Sequence, residues 1–317
     1  MIIIQMAGGL GNQMFQYALY KQLTSMGKTV KMDDEAGFKE DAQRNPALAA
    51  FGIAYERADR REIEEMTDSS MAFTARVRRK LFGRQRRAYF EENKCFQSKI
   101  FDWDDIYLEG YWQSEKYFRD VGPILKKEFG IENVRKNREK GYGLSEQAEM
   151  YLKRMERCES VSIHVRRGDY LLPQNQELFG NICTEAYYEK AVKKVMETHP
   201  GCTFYLFTND NQWAAERLKE RKDFPIIPVE LPGNRDYETL MLMSRCRHNI
   251  LANSSFSWWA SYLNDNPDKL VIAPVDWMNG WDCSDIYRAD MMKIEGTEDR
   301  REASEPDNSR ERTWSYR

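Results

Sequence analysis

The chain reads as an α/β protein built on mostly parallel sheets, and three observations predict this. Strand-like and helix-like segments alternate regularly from about residue 145 to 273. An apolar run at residues 1–6 gives way, through a glycine cluster, to apolar residues at helical spacing. With 317 residues and 41% apolar content, the chain can bury a large core. Repeated strand and helix units of this length put helices on both faces of a parallel sheet.

Residues 1–6 read as a buried strand, followed by the loop Gly8, Gly9 and Gly11. A helix over 12–26 follows, with Met14, Phe15, Ala18, Leu19, Leu23 and Met26 spaced for one face and Gly27 as its stop. Residues 28–32 return as a second strand, 35–100 are charged and too weakly periodic to order, and 106–112 form another strand. Gly130, Gly141 and Gly143, with the charged run 135–140, mark a linker over about 130–145. The expected division is therefore 1–145, 146–294 and a polar tail at 295–317. In the second part, helices are expected at 146–157, 184–199, 211–221, 236–245 and 256–263. Strands alternate with them at 160–165, 203–207, 225–229, 249–252 and 270–273. Thr184 serves as an N-cap for its helix, whose apolar face carries Tyr187, Tyr188, Ala191, Val192, Val195 and Met196. The tail is too polar to offset its ordering entropy and reads as disordered or loosely attached.

Charge and cysteine usage narrow the function. Lysine and arginine number 48 against 51 acidic residues, for a sequence pI near 5.9. That balance argues against a nucleic-acid binder resting on an overall positive field. The six cysteines form no C-x-x-C pair and no metal-ligand spacing with His164, His199 and His248. In a chain of this length they read as free thiols of the cytoplasm. The start lacks a basic signal-peptide region, and no stretch approaches the roughly 18 apolar residues of a spanning helix.

The most telling motif is His164-Val165-Arg166-Arg167-Gly168-Asp169-Tyr170, where two arginines end a strand. Guanidinium groups are always charged and present a planar fork of donors, so the pair suits a diphosphate at the edge where open α/β sheets bind ligands. A surface Arg–Asp pair with a buried histidine is the plainer alternative. The loop Gly8 to Gln13 is not a dinucleotide fingerprint, because position 14 is Met where a third glycine is needed. It fits either a tight turn requiring positive φ or a polar ligand at the backbone N–H groups of Gly9 and Gly11, with Asn12 and Gln13 adding side chains. Asn253, Ser254, Ser255 and Phe256 open a helix after a strand, where hydroxyls cap the helix or its N–H groups hold a phosphate. Trp258 and Trp259 read as core. Asp210 either accepts from a nucleotide or caps the next helix. Asp102 and Asp104 make a D-x-D that reads as a solvated acidic turn, leaving no residues assigned to a metal. The basic stretch 76–87 fits a solvated helix face, with weak contact to an anionic membrane surface as the alternative.

Five segments in order, residues 8–18, 108–114, 164–170, 207–210 and 253–259, resemble the α-1,2-fucosyltransferases of glycosyltransferase family 11. The resemblance covers residues 1 to about 280. It implies a GT-B-like architecture of two facing Rossmann-like domains with mostly parallel sheets. It further implies GDP-β-L-fucose as donor, inverting transfer to the 2-hydroxyl of a terminal β-galactoside, and no cofactor or metal. By the same resemblance Arg166 and Arg167 hold the diphosphate, and Asp210 with residues 253–256 contributes to the nucleotide pocket. Asn12 faces the reacting sugar, while His164 and Asp169 orient the arginines. A transferase for another GDP-sugar or linkage is the alternative, and a carbohydrate- or nucleotide-binding module without turnover is the reading from a different class.

Overall fold

The opening apolar run folds as β1 (Ile2–Ala7), with Ile2, Ile3, Ile4 and Met6 buried. Next come α1 (Leu10–Ser25), β2 (Val30–Gly37), α2 (Arg60–Thr67), α3 (Phe73–Phe82), β3 (Ala88–Phe90) and β4 (Ile106–Glu109). Their four strands pair in parallel in the order β2-β1-β4-β3. This computed structural model describes residues 1–296 other than 42, 219–223 and 234. The expected tail lies outside the described residues beyond 296, as do the side chains of Asp169, Leu171, Gln174, Ala215, Arg217 and Leu218.

Three helices, α4 (Gly122–Glu128), α5 (Ile131–Lys136) and α6 (Glu146–Met155), lead to the second sheet. That sheet is built from β5 (Ser160–Val165), α7 (Pro173–Phe179), α8 (Glu185–Thr198), β6 (Thr203–Thr208), α9 (Asn211–Leu218) and β7 (Ile226–Pro228). It is completed by α10 (Asp236–Arg245), β8 (His248–Ile250), α11 (Ser255–Leu263), β9 (Val271–Pro274) and β10 (Met291–Ile294). Its strands are also parallel, in the order β10-β9-β8-β5-β6-β7. The mostly parallel α/β class expected from the alternation is what the chain adopts.

Three local expectations need correction. The linker expected over 130–145 is largely helical: Val134 is fully buried in α5, and Asn137 anchors the following turn by donating to the Ala50 carbonyl at 3.3 Å. The strand expected to reach residue 112 stops at Glu109, because the backbone N–H groups of Tyr111 and Trp112 turn onto the Glu91 carboxylate (3.0 and 3.1 Å). Trp112 takes up a left-handed φ of 54° there. Finally, β10 is a further strand whose exposed Met292 and Lys293 left no alternating pattern to detect.

Strand order places the functional loops. In the first sheet the chain passes from β1 to β2 on one side, then fills the other side with β4, so the loops after β1 and β4 flank a crevice. In the second, β6 and β7 lie on one side of β5, and β8 to β10 lie on the other. Ligands of open α/β sheets bind at such reversals, outside the carboxyl ends of the strands.

The two sheets meet through α1 and α11. Helix α1 has little amphipathic bias because it is covered on nearly every side: Leu10, Gln13, Met14, Phe15, Gln16, Tyr17, Ala18 and Leu19 are all buried. Phe15 packs 4.6 Å from Trp258 and 5.1 Å from Trp259, and Phe118 stacks on Trp259 at 5.3 Å. Such aromatic pairs add about 0.5–1.5 kcal/mol each beyond burial. The helices approach so closely that a Cβ at Gly11 would stand 2.6 Å from the Phe256 nitrogen. Gly11→Ala is therefore expected to cost about 1–3 kcal/mol of stability through overpacking against backbone. Urea unfolding checks this, and an unchanged midpoint would show that the helices do not meet there.

Candidate functional site

Arg166 and Arg167 follow β5 at the reversal of the second sheet, and each is held by a different set of neighbours. The Arg167 nitrogen donates to Asn209 Oδ1 at 2.9 Å. Gly168 makes this approach possible, since its φ is +47° and a Cβ there would lie 2.4 Å from Asn209 Nδ2. The Arg167 Nε donates to Asp210 Oδ2 at 3.1 Å, and its guanidinium lies 4.8 Å from the centre of the Trp213 ring. With Nε engaged, the terminal fork is the edge presented to a ligand. Asp210 also caps α9 by accepting from Trp213 N at 3.0 Å. That bond, seconded by Arg167, holds its carboxyl below the usual aspartate range. One side chain thus caps α9 and braces Arg167. Arg166 lies 5.7 Å from the Tyr170 ring centre, and Tyr170 is fixed by stacking on Phe179 and donating to the Asn253 carbonyl at 2.9 Å.

Beside the arginines opens a cavity of about 380 Å³ lined by Arg166, Arg167, Tyr170, Phe179, Tyr188 and Trp213, among others. Its size falls in the range of small-molecule sites, and it combines aromatic walls with a few convergent polar groups. Tyr188 is fixed by donating to the His164 carbonyl at 2.9 Å.

The first sheet meets the start of α11 through Asn12. Gly8 takes a φ of +76°, and a Cβ there would lie 2.6 Å from Asn12 Nδ2. Asn12 Oδ1 accepts from Gln113 Nε2 at 2.8 Å and from Ser255 Oγ at 2.7 Å. Two donors on one carbonyl orient the amide, so Asn12 offers its N–H edge and has no basic lone pair to give. The Asn12 amide thereby joins the start of α1, the loop after β4 and the start of α11. Gln113 belongs to the motif at 108–114 but is missing from the expected site residues. Nothing local in the sequence pairs it with Asn12, 101 positions away.

Other expected residues serve the frame. Gln13 is buried; its amide donates to the carbonyls of Gly8 (2.9 Å) and Asn45 (3.0 Å) and accepts from Ala47 N at 2.8 Å. Asn253 donates to the carbonyls of Phe179 (3.3 Å) and Trp277 (3.2 Å), tying the cavity's rim to the sheet. Ser254 caps α11 by accepting from Phe256 N at 3.3 Å. Gly9 has open space above it. Trp258 and Trp259 are core, as expected, and Asp104 sits on the surface against Lys28. The Asp169 side chain, expected to orient the arginines, is outside the described residues.

His164 sits behind the arginines, its ring 5.7 Å from that of Phe256, and its Nδ1 has no hydrogen-bond partner among the described residues. Burial, aided by the Arg166 charge, lowers its pKa to about 3. It is therefore neutral in the fold. A second histidine group, His248 and His199 around Glu159, has the spacing of a metal cluster. His248 Nδ1, however, accepts from Leu270 N at 2.9 Å, which leaves Nε2 protonated and donating to Glu159 Oε1 at 2.7 Å. A neutral imidazole has one in-plane lone pair, so His248 has none left for a metal.

A depressed histidine pKa stabilises the fold above the unfolded value near 6.5 and loses that contribution as pH falls toward the folded value. Between those limits His164 should contribute an acid slope of about 1.4 kcal/mol per pH unit. Urea unfolding across that window should show a shallower acid loss in His164→Gln, whereas identical slopes would show that the imidazole is not buried neutral.

Comparison with known proteins places this arrangement. A family model described as Glycosyl transferase family 11 matches residues 1–295. The chain is 27% identical over 295 residues to the O-antigen biosynthesis glycosyltransferase WbnK of Escherichia coli, spanning 87% of this chain and 94% of the relative. It is also 27% identical over 294 residues to an alpha-1,2-colitosyltransferase of Escherichia coli, spanning 87% and 92%. Identity to galactoside alpha-(1,2)-fucosyltransferase 1 of Saimiri sciureus is 26% over 179 residues, 51% of this chain and 48% of the relative. The family match runs through both sheets and through the loops that carry the arginines and Asn12, and the chain belongs to glycosyl transferase family 11.

Proposed function

We propose that this chain is an inverting transferase that moves L-fucose from GDP-β-L-fucose to the 2-hydroxyl of a terminal β-galactoside. The observation that carries the reading is the arginine pair at the reversal of one sheet, together with the Asn12 clasp that ties the reversal of the other sheet to the start of α11. In this reading the nucleotide occupies the cavity beside β5, and its diphosphate meets the forks of Arg166 and Arg167. The C1–O bond of fucose breaks toward the phosphate, whose growing negative charge the two guanidinium groups neutralise. The galactoside hydroxyl attacks from the opposite face, and Asn12 contributes a fixed N–H donor near the reacting sugar.

The arginines take the role a divalent cation fills elsewhere, so we propose a metal-independent reaction, unaffected by EDTA. Dissociation of the fucosyl cation leads proton removal, since neither His164 nor Asn12 is arranged as a base; the hydroxyl proton leaves to solvent or to Asp169, whose side chain is outside the described residues. Support for the linkage comes from two relatives whose names specify α-1,2 transfer, one of them to galactosides. The colitosyltransferase relative favours a second reading in which the donor is GDP-colitose, a sugar lacking the 3-hydroxyl of fucose. The WbnK relative, named for O-antigen biosynthesis, supports an acceptor in a bacterial surface glycan, and we propose the cytoplasm as the place of transfer. Among the described residues no helix is long and apolar enough to cross a membrane.

Release of GDP should be slow from GDP-fucose alone and rapid once a β-galactoside is added. Release only from GDP-colitose would move the assignment to the second reading, and no release from any GDP-sugar would leave a binding module. Arg167→Ala should fold normally but lose about 3 kcal/mol of transition-state stabilisation, roughly a hundredfold in turnover. Arg166→Lys should also be impaired, because a point charge does not reproduce a fork. Near-normal turnover of purified Arg167→Ala would overturn the assignment.

A further inference from the structure

The most exposed large apolar side chains of the described residues cluster on and beside α3. Phe73 is 79% exposed, Met71 72%, Phe82 71% and Leu81 69%, and no residue of the helix is buried. Phe73, Val77 and Leu81 recur every four residues and so form one stripe. The opposite side of the helix faces the protein. There Arg79 bonds the Ser70 carbonyl at 2.6 Å and reaches the Asp68 carboxylate, which Arg78 also binds. The pairing orients the helix with its apolar stripe outward.

The basic stretch divides into two sets by the same test. Arg78, Arg79, Arg86 and Arg87 are ion-paired internally: the first two share Asp68, Arg86 meets Glu109, and Arg87 meets Glu65 and Asp105. Arg76, Lys80 and Arg84 are exposed, and no acidic residue lies between positions 69 and 90. Arg76 and Lys80 fall three and seven residues after Phe73, along one flank of the apolar stripe. An exposed apolar stripe bordered by cations that pair with no acidic group among the described residues, on a chain whose net charge is −3, matches a surface that is apolar within and anionic at its rim.

We infer that α3 docks the protein on an anionic lipid bilayer. Phe73, Val77 and Leu81 enter the headgroup boundary, and Arg76, Lys80 and Arg84 meet lipid phosphates. The inference is independent of the transferase reading, because it concerns a helix whose residues take no part in the donor site.

Sedimentation of the full chain with vesicles tests it. The protein should pellet with phosphatidylcholine vesicles containing phosphatidylglycerol, much less with phosphatidylcholine alone, and less as salt is raised. Lys80→Gln and Arg84→Gln should each weaken binding about fivefold. The double variant Phe73→Ser/Leu81→Ser should abolish binding while melting and GDP release stay at the parent values. The inference is overturned if the protein ignores anionic vesicles, if it binds both vesicle types alike, or if the stripe variants bind as the parent does. It is equally overturned if the stripe proves to mediate self-association, seen as a dimer lost in Leu81→Ser without any vesicle binding.

Discussion

The contact on which the molecule depends is the meeting of two helix starts, α1 from the first sheet and α11 from the second. Gly11 removes the side chain that would collide with the Ser255 and Phe256 backbone, and one residue later Asn12 accepts from Ser255. Phe15, Phe118, Trp258 and Trp259 then fill the space behind that contact. The sequence of dependence is physical. Backbone approach permits the side-chain clasp, the clasp sets the polarity of the Asn12 amide, and the aromatic packing holds both sheets at this spacing. Because each sheet reverses its strand order at this point, the junction lies where both present their functional loops.

Electrostatics is divided between the two sides of that junction. The second sheet supplies formal charge: Arg166 and Arg167, steadied by Asp210, Trp213 and Tyr170 so that their orientation is settled before any ligand arrives. The first sheet supplies neutral dipoles, with Asn12 held between Gln113 and Ser255. His164 stays uncharged beneath Arg166, which prevents a third positive charge from crowding the pair. Fixed donors aimed at one region lower a barrier without the reorganisation that water would require.

Much of this was legible in the residues, and the remainder has identifiable reasons for being hidden. The alternation after residue 145 predicted the second sheet because short strands such as β6 and β9 are apolar and α8 carries a capped, periodic face. The arginine pair stood out because adjacent charges at a strand end are rarely structural. By contrast, residues 35–100 hold α2 and α3 at the surface, where exposed apolar positions and dense charge erase the contrast that reveals a buried face. The Asn12 to Ser255 bond spans 243 positions, so no local pattern announces it. Gln13 and Asn253 carry the same amide chemistry as Asn12, and only the fold separates two that brace loops from one that faces the crevice. Asp210 shows the converse, since the capping expected of it is met by one carboxylate oxygen while the other takes the Arg167 Nε, a partner no local pattern announces.

We propose that the clasp, more than the nucleotide pocket, aligns the two halves for chemistry. It is tested most directly by measuring turnover and GDP affinity together in Gln113→Ala, Ser255→Ala and the double variant. The account predicts that each single variant loses turnover by up to about a hundredfold while GDP binds as in the parent, and that the double variant is little worse than either. Unchanged turnover in both single variants, or a loss of GDP affinity that matches the loss of turnover, would contradict it.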